Sequence, residues 1–100
     1  MEQGKKIDEV KRILKTNKTI FSGRFNVKEI GIFGSLVRGE EVGTSDVDIL
    51  VEFDKPVGFF KFLELEEYLE GLIGRKVDLV SKKALKPRIG KYILEEVVFV

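Results

Sequence analysis

The sequence predicts an α/β domain of the α+β kind, a small mixed β-sheet flanked by helices. Three observations predict it. Apolar residues recur at helical spacing in several stretches. Short runs rich in Val and Ile stand between those stretches. Glycine and proline, at Gly34, Gly39, Pro56, Gly58, Gly74 and Pro87, punctuate the boundaries.

The elements follow in order. Residues 5–18 carry Ile7, Val10, Ile13 and Leu14 at helical spacing, with charges between. Residues 27–33 read as a strand ending at Gly34. Residues 35–40 form a short helix with Ser35 as its N-cap, closed by Gly39. Residues 46–53 are the clearest strand. Its alternation puts Asp46 and Asp48 on one face and Val47, Ile49, Val51 and Phe53 on the core face. Residues 54–58 are a loop. Residues 59–72 are an amphipathic helix with Phe62, Leu65, Leu69 and Leu72 inward, and Gly74 stops it. Residues 77–80 are a short strand. Residues 88–96 make a last helix after Pro87, with Ile89, Ile93 and Leu94 expected inward. The apolar tail 97–100 is an edge strand or a docking segment.

The passage from strand 46–53 through helix 59–72 to strand 77–80 is a crossover, which joins parallel strands. Strands 27–33 and 46–53 are expected to pair antiparallel. That pairing sets the end of the first beside the start of the second, and so Gly34 and Ser35 beside Asp46 and Asp48. The site then lies away from the carboxyl ends of the parallel strands, where ligands of open sheets usually bind.

Composition narrows the chemistry. One hundred residues suit a single domain, 1–100. With 35% charged residues but a net charge of +1, a general nucleic-acid-coating role loses support, and no direct nucleic-acid binding is expected. One local asymmetry sets Arg75, Lys76, Lys82, Lys83, Lys86, Arg88 and Lys91 against the single acid Asp78. It reads as a solvated face or as a patch for phosphates or an acidic partner. The chain has no Cys and no His, which removes disulfides, thiolate sites, Ser-His catalysis and imidazole metal sites. Any metal must be held by oxygen, which favours Mg²⁺, Mn²⁺ or Ca²⁺. No apolar run approaches the ~20 residues that span a bilayer, and a cytoplasmic location without membrane contact is expected.

The candidate metal and catalytic residues are Asp46, Asp48 and Asp78. On a strand the roots of Asp46 and Asp48 lie roughly 7 Å apart, close enough to converge on a cation. Two like charges side by side repel, and a divalent ion removes the conflict. Asp78 is the one carboxylate of an apolar strand, and it faces the pair if that strand lies beside 46–53. Three carboxylates suit two ions about 3.5–4 Å apart, the arrangement for in-line phosphoryl displacement. The candidate nucleotide-binding residues are Gly34, Ser35, Arg38 and Ser45. Glycine allows close backbone approach, Ser35 adds a hydroxyl and Arg38 a planar fork. Glu40 and Glu41 are expected to compete for Arg38. The stretch is neither a Walker A loop nor a dinucleotide fingerprint, whose spacings it lacks. Each feature alone is more often an ordinary strand, cap or surface acid than a site. Their joint order is the specific signal.

That order, Gly34-Ser35, Arg38-Gly39, Ser45-Asp46-x-Asp48 and then 74–80 with Asp78, resembles the nucleotidyltransferase superfamily typified by DNA polymerase beta. More closely it resembles the minimal nucleotidyltransferases, the MNT proteins of prokaryotes. The likeness runs through Ala84-Leu85-Lys86-Pro87 and the closing helix, nearly the whole chain. It implies a nucleotidyltransferase fold and a triphosphate, ATP, bound at Gly34 and Ser35. It also implies two Mg²⁺ ions, with Mn²⁺ as a substitute, held by Asp46, Asp48 and Asp78. In-line attack on the α-phosphorus then releases pyrophosphate. Larger relatives grip the acceptor with added domains, and this chain is expected to have no room for one. MNT proteins pair with a HEPN-type toxin, a small helical RNase, and silence it by adding AMP to a tyrosine. The expectation is therefore an AMP-transferring antitoxin. The alternatives are a binding antitoxin that masks the toxin, or a transferase subunit acting on a small molecule or an RNA end.

Overall fold

The computed structural model describes residues 2–40 and 46–100. The chain runs α1 (Glu2–Thr16), α2 (Lys18–Phe25), β1 (Val27–Phe33), α3 (Ser35–Arg38), β2 (Val47–Phe53), α4 (Phe59–Ile73), β3 (Val77–Ser81), a 3₁₀ turn (Lys82–Ala84), α5 (Pro87–Glu96) and β4 (Val98–Phe99). The strands form one mixed sheet in the order β3-β2-β1-β4. β1 runs antiparallel to β2 and to β4, while β2 and β3 run parallel. The expected crossover and hairpin-like pairings are both present, and the apolar tail is the edge strand β4.

Alternation divides the sheet into two faces. Ile30 and Ile32 of β1, Val47, Ile49 and Val51 of β2, and Val77 and Leu79 of β3 are buried in one cluster. Val10 and Leu14 of α1, Phe21 and Phe25 of α2, Val27 at the start of β1, Leu36 of α3, and Leu65 and Leu69 of α4 complete it. Each of these large side chains contributes roughly 1.5–3 kcal/mol by leaving water. Asp48 and Asp78 belong to the opposite face, away from the helical layer, as the period of two requires.

β3 is a sheet edge, and α4 seals it. The N–H of Val77 donates to Glu70 Oε2 at 3.0 Å, and that of Leu79 to Glu66 Oε2 at 3.0 Å. These bonds satisfy the donors on the strand's open side. They also fix both neighbours of Asp78.

Three expectations are corrected. The first helix ends at Thr16, and a separate helix, α2, covers residues that carry no helical periodicity. Asn17 makes the break: its side-chain amide donates to the Ile13 carbonyl at 2.8 Å, competing with the helix ladder. α2 is held by tertiary contact, with Phe21 and Phe25 against the Tyr68 ring at centroid distances of 6.2 and 5.7 Å. The N-cap of α3 is Gly34 rather than Ser35. In α5, Ile89 is 60% exposed and Leu94 43% exposed. The buried position is Gly90, where an added Cβ would lie 3.0 Å from Leu85 Cβ. The backbone itself packs there, turning Ile89 and Leu94 outward.

Candidate active site

The site is assembled where β1 ends and β2 begins. In the antiparallel ladder Phe33 lies opposite Asp48, so the next residue, Gly34, passes over the Asp48 side chain. Gly34 has φ of 81°, a region open to glycine and strained for other residues. A Cβ at Gly34 would overlap the Asp48 carboxylate. Glycine is thus required twice, by its dihedral and by the acid it must clear. From Gly34 the chain turns into α3, whose Val37 and Arg38 N–H groups donate to the Gly34 carbonyl at 3.1 and 3.2 Å. Gly39, at φ of 73°, ends that single turn.

Asp48 and Asp78 are direct partners in the parallel register of β2 and β3. Asp46 is exposed just before β2, Asp78 is exposed on β3, and Asp48 is half-buried between them. Burial pushes the Asp48 carboxyl above the ordinary carboxylate range, and the negative charges of Asp78 and Asp46 push it further. Two of the acids predicted from sequence, Asp78 and Asp46, therefore act on the third, Asp48. Among the described residues no three acids close into a ready-made metal cage. What the fold supplies is the Asp48–Asp78 pair in register, with the negative charges of Asp78 and Asp46 bearing on Asp48. With the room that Gly34 leaves, that donor set fits a hard divalent cation, whose binding would relieve the repulsion.

Ser35 is half-buried on α3, one residue beyond the turn. Arg38 is engaged on two sides. Its Nε donates to Glu40 Oε1 at 2.9 Å, and its Nη1 to Glu96 Oε1 at 2.6 Å. The bond to Glu40 and then that to Glu96 raise its pKa further, so it stays charged. The competition expected from Glu40 is present. Glu41 and Ser45 lie outside the described residues.

Sequence reasoning missed Glu96. Its second oxygen, Oε2, accepts the Gly34 N–H at 2.7 Å, so one carboxylate ties the glycine turn to Arg38. No spacing signals this contact, because 62 positions separate Gly34 from Glu96. It arises because β4 pairs with β1, bringing the end of α5 beside the turn.

A family model described as nucleotidyltransferase domain matches residues 7–100. Protein adenylyltransferase MntA of Thermococcus cleftensis is 53% identical over 94 residues, covering 94% of this chain and 95% of that protein. A solved structure assigned to the minimal nucleotidyltransferases aligns at a TM-score of 0.74 and 31% identity, over 98% of this chain and 95% of that one. The structure of a toxin–antitoxin with AMP-PNP aligns at a TM-score of 0.67 and 26% identity, over 83% of this chain and 69% of that one.

Proposed function

The chain belongs to the nucleotidyltransferase domain family, and on that premise we propose that it is a Mg²⁺-dependent antitoxin that transfers AMP from ATP to a tyrosine of a HEPN-type RNase toxin. The observation that carries the transfer is the pairing of Asp48 with Asp78, with a glycine turn that clears the Asp48 carboxylate. The MntA relative is named a protein adenylyltransferase, which supports a protein as acceptor. The toxin–antitoxin neighbour holds an ATP analogue, which supports the triphosphate and a toxin partner. The HEPN class and the tyrosine rest on the resemblance to the MNT proteins. Residues 1–100 are read as one transferase domain, working in the cytoplasm.

In this reading Asp46, Asp48 and Asp78 hold Mg²⁺, which supplies charge neutralisation at the triphosphate and lowers the cost of ionising the acceptor hydroxyl. Gly34, Ser35, Arg38 and Ser45 orient the phosphates. The acceptor oxygen forms a bond to the α-phosphorus, and the bond from that phosphorus to the α–β bridging oxygen breaks. Pyrophosphate carries away the electron pair. In this reading Asp78, exposed on its strand, takes the hydroxyl proton. Phosphoryl chemistry asks mainly for positioning and charge stabilisation, so the lack of histidine is no obstacle.

Incubation with ATP, Mg²⁺ and the folded partner should raise the partner's mass by one or more AMP units. A partner whose mass stays unchanged defeats the proposal. Masking without catalysis is the second reading, favoured by the exposed Ile89 and Tyr92 on the outer side of α5. The double change Asp46→Ala with Asp48→Ala separates the two: neutralisation lost with the adduct supports transfer, and neutralisation kept without it supports masking.

A further inference from the structure

The Glu96 carboxylate bridges two groups that the proposed function assigns to phosphate binding, the Gly34 turn and Arg38. We infer that Glu96 is a positioning residue, which holds the Arg38 guanidinium as a fixed fork for the triphosphate. The inference rests on the reading of Gly34 and Arg38 as nucleotide-binding residues.

The donor inventory argues for a brace rather than a block. An arginine has five N–H donors. Glu40 takes the one on Nε and Glu96 one of those on Nη1. Among the described residues nothing else takes the second Nη1 hydrogen or the two on Nη2. Arg38 is a long, half-exposed side chain, and unbraced it would lose rotamer freedom on meeting a phosphate. Two carboxylates, gripping the fork at different nitrogens, impose that loss before the ligand arrives. Preorganisation of this kind raises affinity without adding a contact.

Glu96 is itself fixed. It is the last residue of α5, and the backbone just after it enters the β4 ladder, with Ile32 opposite Val98 and Gly31 opposite Phe99. Val100 N–H adds a bond to the Ile30 carbonyl at 3.1 Å. Its side chain is only 21% exposed. A carboxylate so placed transmits the seating of the C-terminal helix to the phosphate turn.

A rival view gives the opposite sign. If Glu96 merely repelled the triphosphate, its neutralisation would tighten binding. Glu96→Gln decides, because the amide oxygen still accepts from Gly34 N–H while the ionic hold on Arg38 is lost. ATP with Mg²⁺ should bind this variant roughly tenfold more weakly, the loss of about one charge-assisted hydrogen bond's worth of ordering. In an Arg38→Ala background the same change should cost less than about twofold, since no fork is left to hold. In the nucleotide-free protein the Arg38 Nη–H NMR signals should move toward those of a free guanidinium on Glu96→Gln, while the Nε–H signal, held by Glu40, should change little. Binding unchanged or tightened by Glu96→Gln overturns the inference. So does an equal loss in the Arg38→Ala background, or Arg38 Nη–H signals that do not move. These measurements use no partner, so a failure to modify the partner would sink the proposed acceptor and leave this result standing.

Discussion

The two ends of β2 invite comparison. At its start, Asp46 and Asp48 meet Asp78 and the Gly34 turn. At its far end, past the carboxyl ends of the parallel strands β2 and β3, lies a groove of about 890 Å³. Its lining includes Phe53, Val57, Phe62 and Leu79 together with Lys55, Lys82 and Lys83. In open α/β sheets that second position is the customary ligand crevice. Here this groove and the chemically armed end are different places. The cause is topological: β1 runs antiparallel to β2, so its closing glycine meets the opening acids of β2. Volume locates space, whereas the placement of oxygen donors locates chemistry.

Three changes would break or sharpen that contrast. The largest effect is expected from Gly34→Ala. The new methyl would overlap the Asp48 carboxylate and occupy a strained dihedral. Transfer activity should fall on the order of 100-fold, the cost of misplacing reacting groups by about an ångström. Stability should fall by roughly 1–3 kcal/mol. Near-normal turnover in this variant would detach the glycine turn from the acids.

A middling effect, of opposite sign for stability and function, is expected from Asp48→Asn. The Asp48 carboxyl is raised by burial and then by Asp78 and Asp46. The folded chain therefore binds that proton more tightly than the unfolded chain does. Stability is then lost as pH rises from the ordinary carboxylate range through the raised value. Asparagine cannot ionise and escapes the loss. In metal-free buffer at neutral pH the variant should melt a few degrees above the natural protein, and the two should converge in acid. With Mg²⁺ the natural protein should gain stability and the variant should gain less. Melting curves at several pH values, with and without Mg²⁺, check both statements. A variant that melts lower at neutral pH in the absence of metal would contradict the crowded-acid picture.

The smallest effect is expected at the other end of β2. Lys83→Ala or Val57→Ala should change ATP affinity and transfer by less than about twofold, the range of surface changes remote from a site. A large loss of transfer there would make the groove part of the reaction and dissolve the contrast.

Much of this was legible in the sequence because it is local. Alternation in 46–53 assigned Val47, Ile49 and Val51 to the core, and all three are buried. Gly74 stops α4 with φ of 76°, as its place after the apolar face suggests. α5 was legible as a helix but not in its orientation. The seat of Gly90 against Leu85 is a matter of backbone approach, which apolar spacing does not encode. α2 escaped because exposed Ile20 beside buried Phe21 obscures any stripe, and its place is decided by Tyr68 on another helix. Among the candidate site residues, the three acids could be nominated from strand period and order. Their grouping depended on the parallel register of Asp48 with Asp78.

The sequence by itself determined the first three strands, every helix but α2, the shared face of Asp46 and Asp48, and the oxygen-only chemistry open to a chain without His or Cys. These follow from short-range sterics and from side-chain inventory, which need no knowledge of distant contacts. Only the tertiary structure decided that Gly34 must clear the Asp48 carboxylate, and that Arg38 is held between Glu40 and Glu96. Those contacts join residues brought together by strand pairing, and pairing is fixed by burial of the whole sheet rather than by any one segment.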